Sequence, residues 1–83
     1  MVEKELVEIM EMIDDILSDA SVPRNIKRAL IEAKEKLSGE DELSVKVSAA
    51  LYIIEPTSTD INVPPHARTK LWGLMSLLEA VKK

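Results

Sequence analysis

The sequence predicts an all-α protein. Four antiparallel helices, over about residues 3–18, 23–38, 43–55 and 65–82, form two helical hairpins that close into a compact four-helix bundle. Three observations predict this. Apolar residues recur at steps of three and four in four separate segments. Pro and Gly punctuate the chain between those segments. The stretch Asp19–Leu30 returns 41 positions later as Asp60–Leu71, with Asp, Val, Pro and Leu coinciding and Lys27 matching Arg68.

In the first helix, Val2, Leu6, Ile9, Ile13 and Ile16 make the apolar stripe, widened by Met10 and Leu17. Glu3, Glu5, Glu8 and Glu11 crowd the other face. Acids in a first turn suit the positive end of the helix dipole, but Asp14, Asp15 and Asp19 near the negative end need cations close by. Pro23 disfavours α geometry at Val22 and opens the second helix, with Ser21 or Asp19 placed to accept bonds from free N–H groups. Ile26, Leu30, Ala33 and Leu37 form its stripe, and Gly39 ends it near Ser38.

Leu43, Val47, Ala50 and Ile54 form the stripe of the third helix. Val45, Ala49, Leu51 and Ile53 cover much of the rest, so this helix is expected to be the most buried. A strand over residues 45–54 is rejected, because Ala49-Ala50 is poor strand sequence and no partner strand exists. Pro56 either stops the helix or starts one further turn, and residues 57–63 otherwise read as polar turn chemistry. Ala67, Leu71, Leu74, Leu78 and Val81, flanked by Met75, form the last stripe. Lys82 and Lys83 suit its negative end.

The 41-residue offset extends beyond the turn. Leu6 matches Val47, Met10 matches Leu51, Ile13 matches Ile54, and Leu37 matches Leu78. The chain therefore reads as one domain over 1–83 with an internal repeat, 1–40 and 41–83. The phrase Asp-x-x-Val-Pro-x-x-x-Lys/Arg after an apolar helix resembles the turn of a HEAT repeat. Stacked HEAT-like hairpins are accordingly the alternative to a bundle, although solenoids usually need about three repeats. The length, the phrase Val22-Pro23-Arg24-Asn25-Ile26-Lys27-Arg28-Ala29 and the phrase His66-Ala67-Arg68-Thr69-Lys70-Leu71-Trp72 resemble an archaeal group, uncharacterised protein family UPF 0147. That resemblance spans nearly all residues. It implies an archaeal source and a compact four-helix fold, and it implies no activity. Pro56 departs from the pattern.

Composition narrows the function. There is no cysteine, which excludes disulfides, thiol catalysis and Cys-based zinc sites, and His66 is the only histidine. No run of about 18 apolar residues exists to span a membrane. The acidic, amphipathic N-terminus is unlike a signal peptide, so the cytoplasm is the expected location. Absent Cys and Gln with abundant Glu and Lys lean towards a heat-adapted source. Gly39 and Gly73 are the only glycines, so no phosphate-cradling loop can be built. Gly73 lies mid-helix, where it costs about 1 kcal/mol against Ala, and a close helix approach would explain it.

Asp14, Asp15 and Asp19 read as a solvated acidic face rather than as metal ligands or an acid/base pair. Asp19 and Asp60 read as capping or turn residues. His66, matched by Asn25, reads as a local polar contact, and nothing marks a nucleophile beside it. No cofactor, metal or small-molecule substrate is expected.

Charge alternates along the chain. Residues 1–22 hold seven acids and one base, 23–37 five bases and two acids, 38–62 five acids and one base, and 63–83 four bases and one acid. Arg24, Lys27, Arg28, Lys34, Arg68 and Lys70 lie on the second and fourth helices, which are expected to share one side of the fold. Their first reading is neutralisation of the acidic helices, and their second is an RNA-, DNA- or acidic-protein-binding face. Trp72 and Tyr52, the only aromatics, either pack on the flank of a neighbouring helix or mark an apolar interface. The functional expectation is a non-enzymatic protein–protein interaction module, binding an unknown protein or a second copy of itself. The alternative is a nucleic-acid-associated factor using the basic face. The candidate partner-binding residues are Arg24, Lys27, Arg28, Arg68, Lys70 and Trp72.

Overall fold

A computed structural model of the chain describes residues 2–82, with side chains from residue 4 onward. The parts assigned above to the side chains of Val2 and Glu3, and to Lys83, lie outside the described residues. The helices are α1 (Val2–Leu17), α2 (Arg24–Leu37), α3 (Leu43–Ile54) and α4 (Pro65–Lys82), with a 3-10 helix at Glu55–Thr59 between α3 and α4. The short connections force an up-down-up-down order.

The packed pairs are α1–α2, α2–α3, α3–α4 and α4–α1, which close a ring. Stacked hairpins would instead lay α1 on α3 and α2 on α4. The four apolar stripes meet inside the ring. Ile9, Ile13 and Ile16 of α1 face Ile26, Leu30, Ala33 and Leu37 of α2, Val47, Ala50 and Ile54 of α3, and Ala67, Leu71, Leu74 and Leu78 of α4, all buried. Val22 and Val63, from the two Val-Pro turns, are buried as well. Many buried positions stand 41 apart, and several such pairs have a large residue in one hairpin and a small one at the matching place of the other: Ile9 and Ala50, Ile26 and Ala67, Leu74 and Ala33. Alternating sizes let facing layers interdigitate at the density of a protein interior.

The two turns before α2 and α4 share one construction. Asp19 Oδ1 accepts from the Ser21 N–H at 2.9 Å, and Asp60 Oδ1 accepts from the Asn62 N–H at 2.8 Å. The Val22 N–H reaches the Asp19 carbonyl, and the Val63 N–H reaches that of Asp60. The aspartates thus close turns rather than cap helices, and α2 has no side-chain cap. Pro23 and Pro64 each supply the carbonyl that accepts the first helical N–H groups. At the other end of α2, Gly39 does not take a left-handed conformation. The helix closes instead through a tightened bond from the Gly39 N–H to the Lys36 carbonyl.

Pro56 does both things expected of it. It ends α3 at Ile54 and then occupies the start of the 3-10 helix. Thr57 and Ser58, expected in an exposed polar turn, are buried. Their hydroxyls donate to the carbonyls of Ile54 and Glu55, three residues back, so each buried hydroxyl is paired within the turn itself. Thr57 stands 41 positions after the buried Ile16, so a hydroxyl residue fills a place that an isoleucine fills in α1.

Candidate interaction surface

The acids at the end of α1 find their cations on both neighbouring helices. Asp14 pairs with Lys34 of α2 at 2.6 Å, and Asp15 pairs with Lys70 of α4 at 2.8 Å. The bond to Asp15 raises the Lys70 ammonium above its ordinary value. Asp19 Oδ2 lies 2.7 Å from Nε2 of His66. Bonds from the Ser21 hydroxyl and N–H, then from His66, hold the Asp19 carboxyl far below the usual carboxylate range. Across the same end of the bundle, Asn25 donates to Asp60 at 3.3 Å. The Asn62 N–H and that Asn25 amide keep the Asp60 carboxyl low. The two turns therefore clasp each other reciprocally: each aspartate binds the residue two places into the opposite Pro-initiated stretch. Lys34 and Lys70, paired with the acids of its last turn, offset the dipole mismatch that α1 carries.

This geometry divides the basic set. Lys34 and Lys70 are engaged by α1. Arg68, half-buried, donates from Nη2 to the Asp60 carbonyl at 2.9 Å. Arg24, Lys27 and Arg28 make no ion pair among the described residues and remain on the surface of α2. The expected common basic face does not form. In an up-down-up-down ring every second helix lies across the diagonal, so α2 and α4 each pack on α1 and α3 instead of on each other. Their first turns meet only at the clasped end.

The aromatics are outside. Tyr52 is 81% exposed and Trp72 55%, so neither is sealed against a neighbouring helix. As expected, α3 is the most enclosed helix: of its twelve residues only Ser44, Val45 and Tyr52 are exposed, with Val47, Ala50 and Ile54 buried and Ala49 half-buried. Val45, Ala49, Tyr52 and Pro56 follow at helical steps and form its outer ridge. The positions 41 earlier form the outer ridge of α1, and they are Lys4, Glu8, Glu11 and Asp15, all exposed. Two ridges of one architecture thus differ completely in chemistry. Tyr52 takes the exposed one of its two expected places, whereas Val45 and Ala49, expected to belong to the buried surface of an all-round apolar helix, stand beside it on the outside. The signal was present in the offset, which matches each of these three residues with a charged one.

Other grooves are shallow. One of about 340 Å³ between α1 and α4 is lined by Glu8, Glu11, Met12, Asp15, Lys70 and Gly73. Gly73 does not mark a close helix approach: a Cβ there would meet only Met12 Cε, at 3.7 Å. Among the described residues no three of His, Cys, Asp and Glu lie together as metal ligands, and no helix is long and apolar enough to cross a membrane.

The description of an uncharacterised protein family, UPF0147, matches residues 1–81. A UPF0147 protein of Archaeoglobus fulgidus is 43% identical over 81 residues, covering 98% of this chain and 93% of that relative. The crystal structure of a protein of the same family from Thermoplasma acidophilum superposes with a TM-score of 0.87 at 35% identity, covering 96% of each chain. A second crystal structure, of a protein of unknown function, gives a TM-score of 0.87 at 40% identity over 95% of this chain and 91% of that one.

Proposed function

This chain belongs to the archaeal uncharacterised protein family UPF0147, and we propose that it is a non-enzymatic, cytoplasmic protein–protein interaction module that binds through the outer ridge of α3. The observation carrying this reading is the contrast between the two outer ridges. The two hairpins are copies of one unit, so α1 and α3 hold equivalent places in the ring. A ridge that only faces water needs nothing apolar, and α1 shows what such a ridge looks like. Exposed apolar side chains are unremarkable singly, but a ridge of them on a helix with one charged residue, Lys46, fits a covered surface. Tyr52 and Trp72 add large, rigid aromatic area of the kind enriched at interfaces. Against an enzyme, the hydroxyl beside the only histidine, that of Ser21, 3.3 Å from His66 Nε2, donates to Asp19 at 2.6 Å, and the same Nε2 is taken up by Asp19, so the imidazole does not draw the proton from that hydroxyl.

The test uses the internal control that the offset supplies. A photo-crosslinking amino acid placed at Tyr52, in cells of an archaeal host, should yield a discrete protein adduct. The same group at Glu11 should yield none. Absence of an adduct at Tyr52, or equal adducts at both positions, would sink the reading.

A further inference from the structure

We propose that the groove between α1 and α4 binds a basic amphipathic helix of a partner protein, with its cations on Glu8 and Glu11 and an apolar side chain on the floor made by Met12 and Gly73. The groove holds no residue of α3, so this inference stands apart from the ridge described above.

The first argument is the floor. Gly73 is the one glycine inside a helix. Its φ is not positive, and a Cβ there would meet only Met12 Cε, at 3.7 Å. Neither backbone geometry nor close packing calls for glycine, which costs about 1 kcal/mol against alanine at such a place. What the bare Cα does supply is open space in a groove of about 340 Å³ beside Met12. A methionine side chain is flexible and polarisable, and it adapts to an apolar residue laid against it.

The second argument is charge. The acids at the end of α1 and just beyond it are satisfied within the molecule: Asp14 by Lys34, Asp15 by Lys70 and Asp19 by His66. Glu8 and Glu11, exposed along the same groove, make no ion pair among the described residues. The facing helix cannot supply one. Between Lys70 and Lys82 its only charged residue is Glu79, another acid. Lys70, the one cation lining the groove, is already bonded to Asp15 at 2.8 Å. An apolar floor is thus edged by two free carboxylates one helical turn apart. The complement is a helix whose apolar stripe is flanked by Lys or Arg one turn apart.

The third argument is shape. A small ligand is held by a cleft that encloses most of its surface. This groove is open to solvent along its length, and a helix needs only one stripe of its surface covered.

The probe is a synthetic helical peptide of about 18 residues, or five turns, with Leu on one stripe and Lys beside it. Titration followed by NMR should shift the signals of Met12 and Gly73 and reach saturation. The same peptide with Glu in place of Lys should shift nothing. Glu8→Lys together with Glu11→Lys should weaken binding by at least about tenfold. Glu40→Lys together with Asp41→Lys, the same change of net charge placed on the linker before α3, should change it by less than about twofold. Gly73→Leu fills the floor with a better helix former, so binding should fall about tenfold while helical circular dichroism is retained. A Lys peptide that does not bind overturns the proposal, as does undiminished binding by the Gly73→Leu chain. Equal weakening by the linker pair also overturns it, since net charge alone would then attract the peptide. If the chain without peptide scatters light as twice 9.3 kDa, and Glu8→Lys with Glu11→Lys halves that mass, the occupant is a second copy and the proposal fails.

Discussion

Replacing Gly73 with alanine should stabilise the fold. Gly73 sits in the middle of α4, with helical backbone and no positive φ that would require a glycine. It is exposed, and a Cβ built there meets Met12 Cε at 3.7 Å, an ordinary van der Waals distance, and nothing else nearby. The residue 41 earlier, Glu32, carries a full side chain in the interior of α2. Glycine in a helix interior costs about 0.8–1.0 kcal/mol against alanine, mostly by enlarging the entropy lost on folding. Contact of the new methyl with Met12 adds a few tenths of a kcal/mol by area. The expected gain is about 1 kcal/mol. With a urea m-value near 1 kcal/mol/M for a chain this short, the midpoint should rise by about 1 M. The thermal midpoint should rise by roughly 4–8 °C. Both should be followed by circular dichroism at one fixed protein concentration, since any self-association adds a mass-action contribution. A lowered midpoint would refute the reasoning. It would mean that Met12 cannot yield and that the α1–α4 spacing depends on the missing side chain.

Other substitutions test the remaining steps. Thr57→Val keeps the shape but strips the buried Ile54 carbonyl of its hydroxyl donor, so thermal unfolding should show a loss of about 1 kcal/mol; an unchanged midpoint would mean that the bond contributes nothing. Asp19 has its folded pKa depressed below the ordinary 3.8, so its contribution is present above that value and is lost as pH falls through and below it. Asp19→Asn should therefore flatten the loss of stability on acidification below about pH 4 in urea titrations, and an identical acid limb in both proteins would contradict the turn geometry. With Lys34 and Lys70 engaged and the basic helices diagonal, mixed RNA or DNA should not be retarded at about 50 mM salt. A salt-steep band abolished by Arg24→Glu together with Arg28→Glu would reinstate the nucleic-acid reading.

Much of the fold was legible in the chain because helical spacing and Pro or Gly punctuation are local. Ile13, Leu30, Ile54 and Leu71 declared themselves as core by periodicity alone, and the helix limits came within one or two residues. Pro56 was legible as a break but not as a 3-10 turn, because the burial of Thr57 and Ser58 depends on which helices close over them. Lys70 and Arg68 looked free for binding only because Asp15 and the Asp60 carbonyl are brought to them by packing.

The order of helices, the stripe each one turns inward and the two Asp-to-Pro turns follow from residue types and spacing, since each depends on backbone sterics and a period of 3.6. Which helices become neighbours depends on how two hairpins close on each other, and the packed pairs α1–α2, α2–α3, α3–α4 and α4–α1 settle it. That choice set α2 across the diagonal from α4 and divided the basic residues into bonded and free. It also left the apolar residues of α3 that lie off its inward stripe without a neighbouring helix, so that Val45 and Tyr52 stand at the surface.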